Sequence, residues 1–119
     1  MQIEAGEIAR KYGMIANDIS TTATVRNVFI IDDKGIIRAI LVYPMNIGRS
    51  IPEILRIIES LQTADCNEAS TPANWCPGMP LIIPAPNTFS GLQGRVEEIE
   101  KNKNGINWYL AFKNYENCK

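Results

Sequence analysis

Two nearly continuous apolar runs, Val25 to Ile31 and Ile36 to Tyr43, stand on either side of Asp32-Asp33-Lys34-Gly35. Both are rich in β-branched and aromatic residues, which is strand composition. The polar segment between them is a hairpin turn: Asp favours the opening position, and Gly adopts the left-handed conformation that closes longer hairpin loops as a bulge. A strand wetted on one face alternates apolar and polar residues. These two do not alternate, so each is expected to be covered on both faces. One hairpin and the two helices readable around it cannot supply that cover.

Upstream, Ala5, Ile8, Ala9 and Tyr12 recur at helical spacing, with Gly13 as a stop signal, and predict a short amphipathic helix. Ser20 to Thr24 read as a polar connector into the first strand. Downstream, Ser50 is placed as N-cap of a helix, with Glu53 three residues on to complete a capping box and Pro52 tolerated in the first turn. Ile51, Ile54, Leu55, Ile58 and Leu61 form its expected apolar stripe, with Arg56, Glu59 and Gln62 on the other side. Near Ala64 the composition changes to the proline-punctuated Thr71-Pro72-Ala73-Asn74-Trp75-Cys76-Pro77-Gly78 and Pro80 to Pro86. Beyond that change the pattern predicts a strand at Leu81 to Ile83, a charged surface helix at Leu92 to Lys101 and one terminal strand at Ile106 to Phe112.

Charge and cysteine content exclude several functions. A net charge of −1 with interspersed signs offers no basic stripe for nucleic acid, and no apolar run reaches membrane-spanning length. The first residues include acids and lack a signal-peptide core, so no leader is expected. The absence of histidine removes Ser-His and Cys-His nucleophile activation and most zinc sites. Three cysteines, Cys66, Cys76 and Cys118, match neither a zinc framework nor a paired disulfide scaffold, and an odd count leaves one thiol over. A cytoplasmic location suits that arithmetic. Cys66, between Asp65 and Asn67-Glu68, reads as an ordinary surface thiol whose acidic neighbours disfavour the thiolate. The acids Glu97, Glu98 and Glu100, interleaved with Ile99 and followed by Lys101 and Lys103, read as a solvated helix face. Trp75 reads as a cover for the core edge, with a docking role as the competing use.

The run Thr24 to Pro44, followed by Asn-Ile-Gly-Arg-Ser, the capped helix, Thr-Pro-Ala-Asn-Trp and Pro-Leu-Ile-Ile-Pro-Ala-Pro, resembles the second half of a peroxiredoxin. The resemblance is to the one-cysteine, sixth-type branch and its archaeal and clostridial relatives. It implies an α/β fold: the C-terminal half of a thioredoxin-like core over residues 1–63, then the small peroxiredoxin C-terminal region over 64–119. It also implies thiol-dependent reduction of hydrogen peroxide and alkyl hydroperoxides without metal or cofactor, and homo-oligomers of dimer size or larger. Arg26 matches the arginine the family sets beside its reactive thiolate, and Arg49 a second arginine near the pocket. A guanidinium is permanently charged and presents a rigid fork of donors, so it lowers a nearby thiol pKa and stabilises charge on a departing oxygen. An arginine in an apolar strand would cost several kcal/mol unless something pairs it or solvent reaches it.

The family's nucleophile lies in a Pro-x-x-x-Thr/Ser-x-x-Cys motif, and no cysteine here has it. Glu59, Ala69 and Ala111 occupy the proline's place before Cys66, Cys76 and Cys118. Trp108-Tyr109 resembles a Trp-Tyr pair of archaeal-type members that cysteines flank, but Gly105 and Ala111 stand in the cysteines' places. Cys118 is the nearest substitute for a resolving thiol. A sixth-type serine-histidine lipase activity is impossible without histidine. Two readings follow: part of a peroxidase, inactive alone and completed by a chain supplying the N-terminal half, or a non-catalytic dimerisation and assembly module. A cysteine-based redox sensor is the third.

Overall fold

Residues 6–15 and 25–118 are described by the structure, a computed structural model. The residues before Gly6 and the Ser20 to Thr24 connector lie outside them. The architecture is mixed α/β, built from two antiparallel sheets with packing helices, and it divides into two compact units, residues 1–51 and 52–119.

The first unit contains α1 (Glu7–Lys11), β1 (Arg26–Ile31) and β2 (Ile37–Tyr43). Gly13, at φ +64°, follows the helix as the stop signal predicts. The strands pair in register from Arg26 opposite Tyr43 to Ile30 opposite Ala39, with an irregularity before Ile31 opposite Ile37. Asp32 makes the turn: its Oδ1 accepts from the Lys34 and Ile36 amides at 3.0 and 2.9 Å, and its carbonyl accepts from Gly35 N at 3.0 Å. Gly35 stands at φ +76°, where a side chain would be strained. On the sheet, Tyr12 meets Phe29 edge-on with ring centroids 5.0 Å apart. Much of the apolar surface has no cover: Ile40 is 52% exposed and Val42 70%. The continuous apolar pattern thus carries more hydrophobic surface than the described residues of this unit bury.

The second unit is α2 (Ile51–Asn67), β3 (Leu81–Ile83), α3 (Phe89–Asn102), β4 (Gly105–Asn107) and β5 (Leu110–Lys113). Its sheet runs β3-β5-β4, and reciprocal backbone bonds between Ser70 and Ile82 extend it by one bridge. Trp75, Leu81 and Ala111 are fully buried at its core. Trp75 therefore serves the core, and its indole Nε1 donates to Met79 O at 3.0 Å.

Three local expectations need correction. The single strand at Ile106 to Phe112 is a hairpin, β4 and β5, with Trp108 and Tyr109 at its turn. Gly105 lies opposite Ala111, so close that a Cβ on it would sit 2.7 Å from Leu110 O and 2.9 Å from Ala111 Cα. The charged helix starts earlier than expected because Thr88 caps it, its Oγ1 accepting from Gly91 N at 3.2 Å. In α2, Ile51 and Leu55 of the expected stripe are 59% and 56% exposed, while Ser60 and Asn67 are buried. Glu53 turns forward to Arg56 instead of closing a capping box: its two oxygens accept from Arg56 Nε and Nη2 at 2.6 and 2.8 Å.

Candidate functional site

Arg26 opens β1, directly across the ladder from Tyr43. Its side chain is exposed and makes no hydrogen bond or ion pair to another described residue. Solvent thus resolves the cost of placing an arginine in an apolar strand. Arg49 is exposed in the loop between β2 and α2. No bond joins the two guanidinium groups.

The cysteines are arranged differently from their sequence reading. Cys66, near the end of α2, is disulfide-bonded to Cys118 with Cα atoms 6.3 Å apart, so Cys66 is not a lone surface thiol and Cys118 is not free. Sequence spacing cannot reveal such a pair, because the two cysteines stand 52 positions apart and the chain between them must first fold back on α2. The thiol left over is Cys76, exposed in the loop after Trp75.

Around this bridge α2 presents polar groups. Buried Asn67 donates through Nδ2 to Thr63 O at 3.0 Å and to Glu116 O at 3.2 Å, and the same nitrogen lies 3.5 Å from Cys118 Sγ. Lys113 Nζ donates to Asn67 O. Arg56, expected on a solvated face, instead reaches Trp75 O at 3.4 Å from its fork on Glu53. The Arg56 hydrogen bonds hold the Glu53 carboxyl below the usual carboxylate range, and Glu53 in turn raises the Arg56 pKa. The i,i+3 spacing of Glu53 and Arg56 was the sequence signal for this pair. A cleft of about 340 Å³ runs beside the bridge, bordered by Glu59, Gln62, Thr63 and Tyr115 as well as both cysteines.

Gly105 and Ala111, which flank Trp108-Tyr109, are cross-strand partners. The tight backbone approach at Gly105 leaves no room there for a Cβ, so this corner of the sheet requires the small residue. No group of three or more metal-ligating side chains occurs among the described residues. No helix among them is long and apolar enough to cross a membrane.

Comparison with known proteins places this geometry. Residues 60–98 match the family described as the C-terminal domain of 1-Cys peroxiredoxin. Peroxiredoxin 2 of Caldanaerobacter subterraneus is 51% identical over 106 residues, covering 89% of this chain and 48% of the relative. The peroxiredoxin of Methanosarcina mazei is 42% identical over 107 residues, covering 90% of this chain and 49% of its own. Among solved structures, a yeast mitochondrial 1-Cys peroxiredoxin superposes with a TM-score of 0.68 at 34% identity, over 93% of this chain and 53% of that one. A mutant of peroxiredoxin 6 of Arenicola marina gives 0.62 at 36% identity, over 73% and 41%. The chain spans about half the length of the curated relatives it matches. With the two antiparallel sheets and packing helices of thioredoxin-like peroxiredoxin structures, and with its second unit carrying the matched segment, the chain is a peroxiredoxin-family domain of the one-cysteine C-terminal type.

Proposed function

We propose that this chain supplies the arginine-bearing C-terminal part of a thiol-dependent peroxidase and catalyses nothing until an upstream half provides the nucleophile. In this reading, residues 1–63 complete a thioredoxin-like core and residues 64–119 form the small domain after it. The observation that carries it is the alignment of about nine-tenths of this chain with only half of its peroxiredoxin relatives. The upstream half comes from a second chain or from the same polypeptide before residue 1. Its thiolate attacks the peroxide O–O bond, the distal oxygen joins the sulfur as a sulfenic acid, and the alcohol or water leaves with the other oxygen after taking a proton. Arg26 is assigned to hold the thiolate and the developing charge on the leaving oxygen, and Arg49 to support it. Arg26 is exposed and unbonded to described residues, which suits a side chain whose partner lies elsewhere. Cys118 is assigned as a resolving thiol only once its bond to Cys66 has opened. The test is to supply the upstream half and measure peroxide consumption, with this chain alone as the control.

A second reading, a non-catalytic assembly module, draws on the exposed Ile40 and Val42 and on a sheet that has two strands among the described residues, which is marginal alone and offers edges to another chain. Sedimentation at low micromolar concentration separates the two: a stable monomer removes this reading, and a dimer without activity after complementation favours it.

A further inference from the structure

Three contacts help to fasten the tail, residues 114–118. The disulfide joins Cys118 to Cys66, Asn67 Nδ2 donates to Glu116 O at 3.2 Å, and the Tyr115 ring lies 5.9 Å from that of Trp75. Of these, the disulfide alone is covalent and is opened by thiol chemistry. Both cysteines are exposed, and both border the cleft of about 340 Å³ beside α2. A bridge that only staples a fold needs no access, whereas this one faces solvent with room for a small molecule alongside. Exposed disulfides are the labile, regulatory kind, and in reducing compartments such bonds are transient.

We propose that the Cys66–Cys118 pair is a thiol–disulfide exchange site for low-molecular-weight thiols and acts as a releasable strap on the tail. An incoming thiolate attacks Cys66 Sγ, the S–S bond breaks, and its electron pair leaves on Cys118 Sγ. A second thiolate attacks the outer sulfur of the mixed disulfide, releasing Cys66 as thiolate and the reductant as its own disulfide. Two small thiols are oxidised, the protein disulfide is reduced, and their two protons end on Cys66 and Cys118. The Asn67 amide selects the direction. Its two hydrogens serve Thr63 O and Glu116 O, and with the nitrogen 3.5 Å from Cys118 Sγ one of them is shared with charge building on that sulfur, which makes Cys118 the better leaving group. Opening the strap leaves the tail on non-covalent contacts, those of Asn67 and Tyr115 among them, and such attachments permit local opening. The proposal is independent of the peroxidase reading, since its test contains no peroxide.

The experiment uses the full chain carrying Cys76→Ser, so that the strap cysteines are its only thiols. The chain is equilibrated in glutathione buffers of graded reduced-to-oxidised ratio, then quenched, alkylated and weighed. Expected are joint, reversible titration of both cysteines, a trapped glutathione adduct on Cys66, and cleavage by a glutamate-specific protease at Glu116 roughly tenfold faster in the reduced form. Trp75 fluorescence should stay native throughout, and Cys118→Ser should be cleaved at the fast rate in every buffer. A bond that never forms under oxidation, or that glutathione reduces only after denaturation, overturns the proposal. So does loss of the native fluorescence on reduction, which would make the bridge part of the fold. An adduct found on Cys118 overturns the direction assigned to Asn67.

Discussion

Replacing both Cys66 and Cys118 by serine removes a cross-link that spans 52 residues of a second unit running from Pro52 to Lys119. The magnitude follows from the loop. In the chain-entropy description the closed loop costs the unfolded state an entropy of about −14 cal/mol/K for a loop of this length, or about 4 kcal/mol at 25 °C. The native unit loses little in direct contacts, because Asn67 still holds Glu116 and Lys113 still donates to Asn67. Since domains are stable by about 5–15 kcal/mol, the variant should remain folded but lose a large share of its margin. Urea unfolding followed by the fluorescence of buried Trp75 should show a midpoint well below that of the oxidised chain. The slope should be steeper, because the uncross-linked chain exposes more surface on unfolding. Equal midpoints for the two chains would refute the reasoning, and would mean that the unfolded state is already as constrained without the bridge.

Trp75→Ala should cost about 3–5 kcal/mol and release the Met79 carbonyl, measured by the same unfolding curves, because the ring is fully buried. Gly105→Ala should destabilise the second unit by about 1–3 kcal/mol, since its methyl would strike the Leu110 carbonyl and the Ala111 backbone. Acid should weaken both units. The Asp32 carboxyl is held below its ordinary pKa, first by the Ile36 amide, and Glu53 by Arg56. For a carboxylate lowered on folding, the stabilisation is complete above the unfolded pKa and disappears as pH falls through the folded one, so the loss should begin below about pH 4–5. Asp32→Asn and Glu53→Gln should flatten that dependence in a pH series of thermal melts.

The hairpin was legible because apolar runs and turn chemistry agreed: Asp32 caps the loop with its own side chain and Gly35 takes the left-handed position. The strand at Leu81 to Ile83 and the start of α2 after Ser50 were legible for the same reason. The face of α2 was not. Ile51 and Leu55 continue an apolar period, yet the unit buries Ser60 and Asn67, and only Asn67, through its amide nitrogen, bonds to the returning tail. Exposed stripe residues on α2 and exposed Ile40 and Val42 on β2 are sequence patterns written for more cover than the described residues provide. The terminal hairpin was hidden because Trp108-Tyr109 has strand composition, while the turn rests on the absence of a side chain at Gly105. For the site, Arg26 and Arg49 could be named only from family resemblance, since nothing local distinguishes them from solvated arginines. The disulfide depends on a chain reversal that no spacing rule encodes.

Peroxide consumption by the reconstituted pair tests the central claim most directly. An upstream peroxiredoxin half bearing the Pro-x-x-x-Thr/Ser-x-x-Cys motif is joined to this chain, folding is verified, and hydrogen peroxide loss is followed with a thiol reductant. The account predicts turnover by the joined protein, none by this chain alone, and a loss of roughly 10²–10³-fold with Arg26→Ala. A well-folded joined protein that leaves peroxide untouched, or whose rate ignores Arg26→Ala, would contradict it.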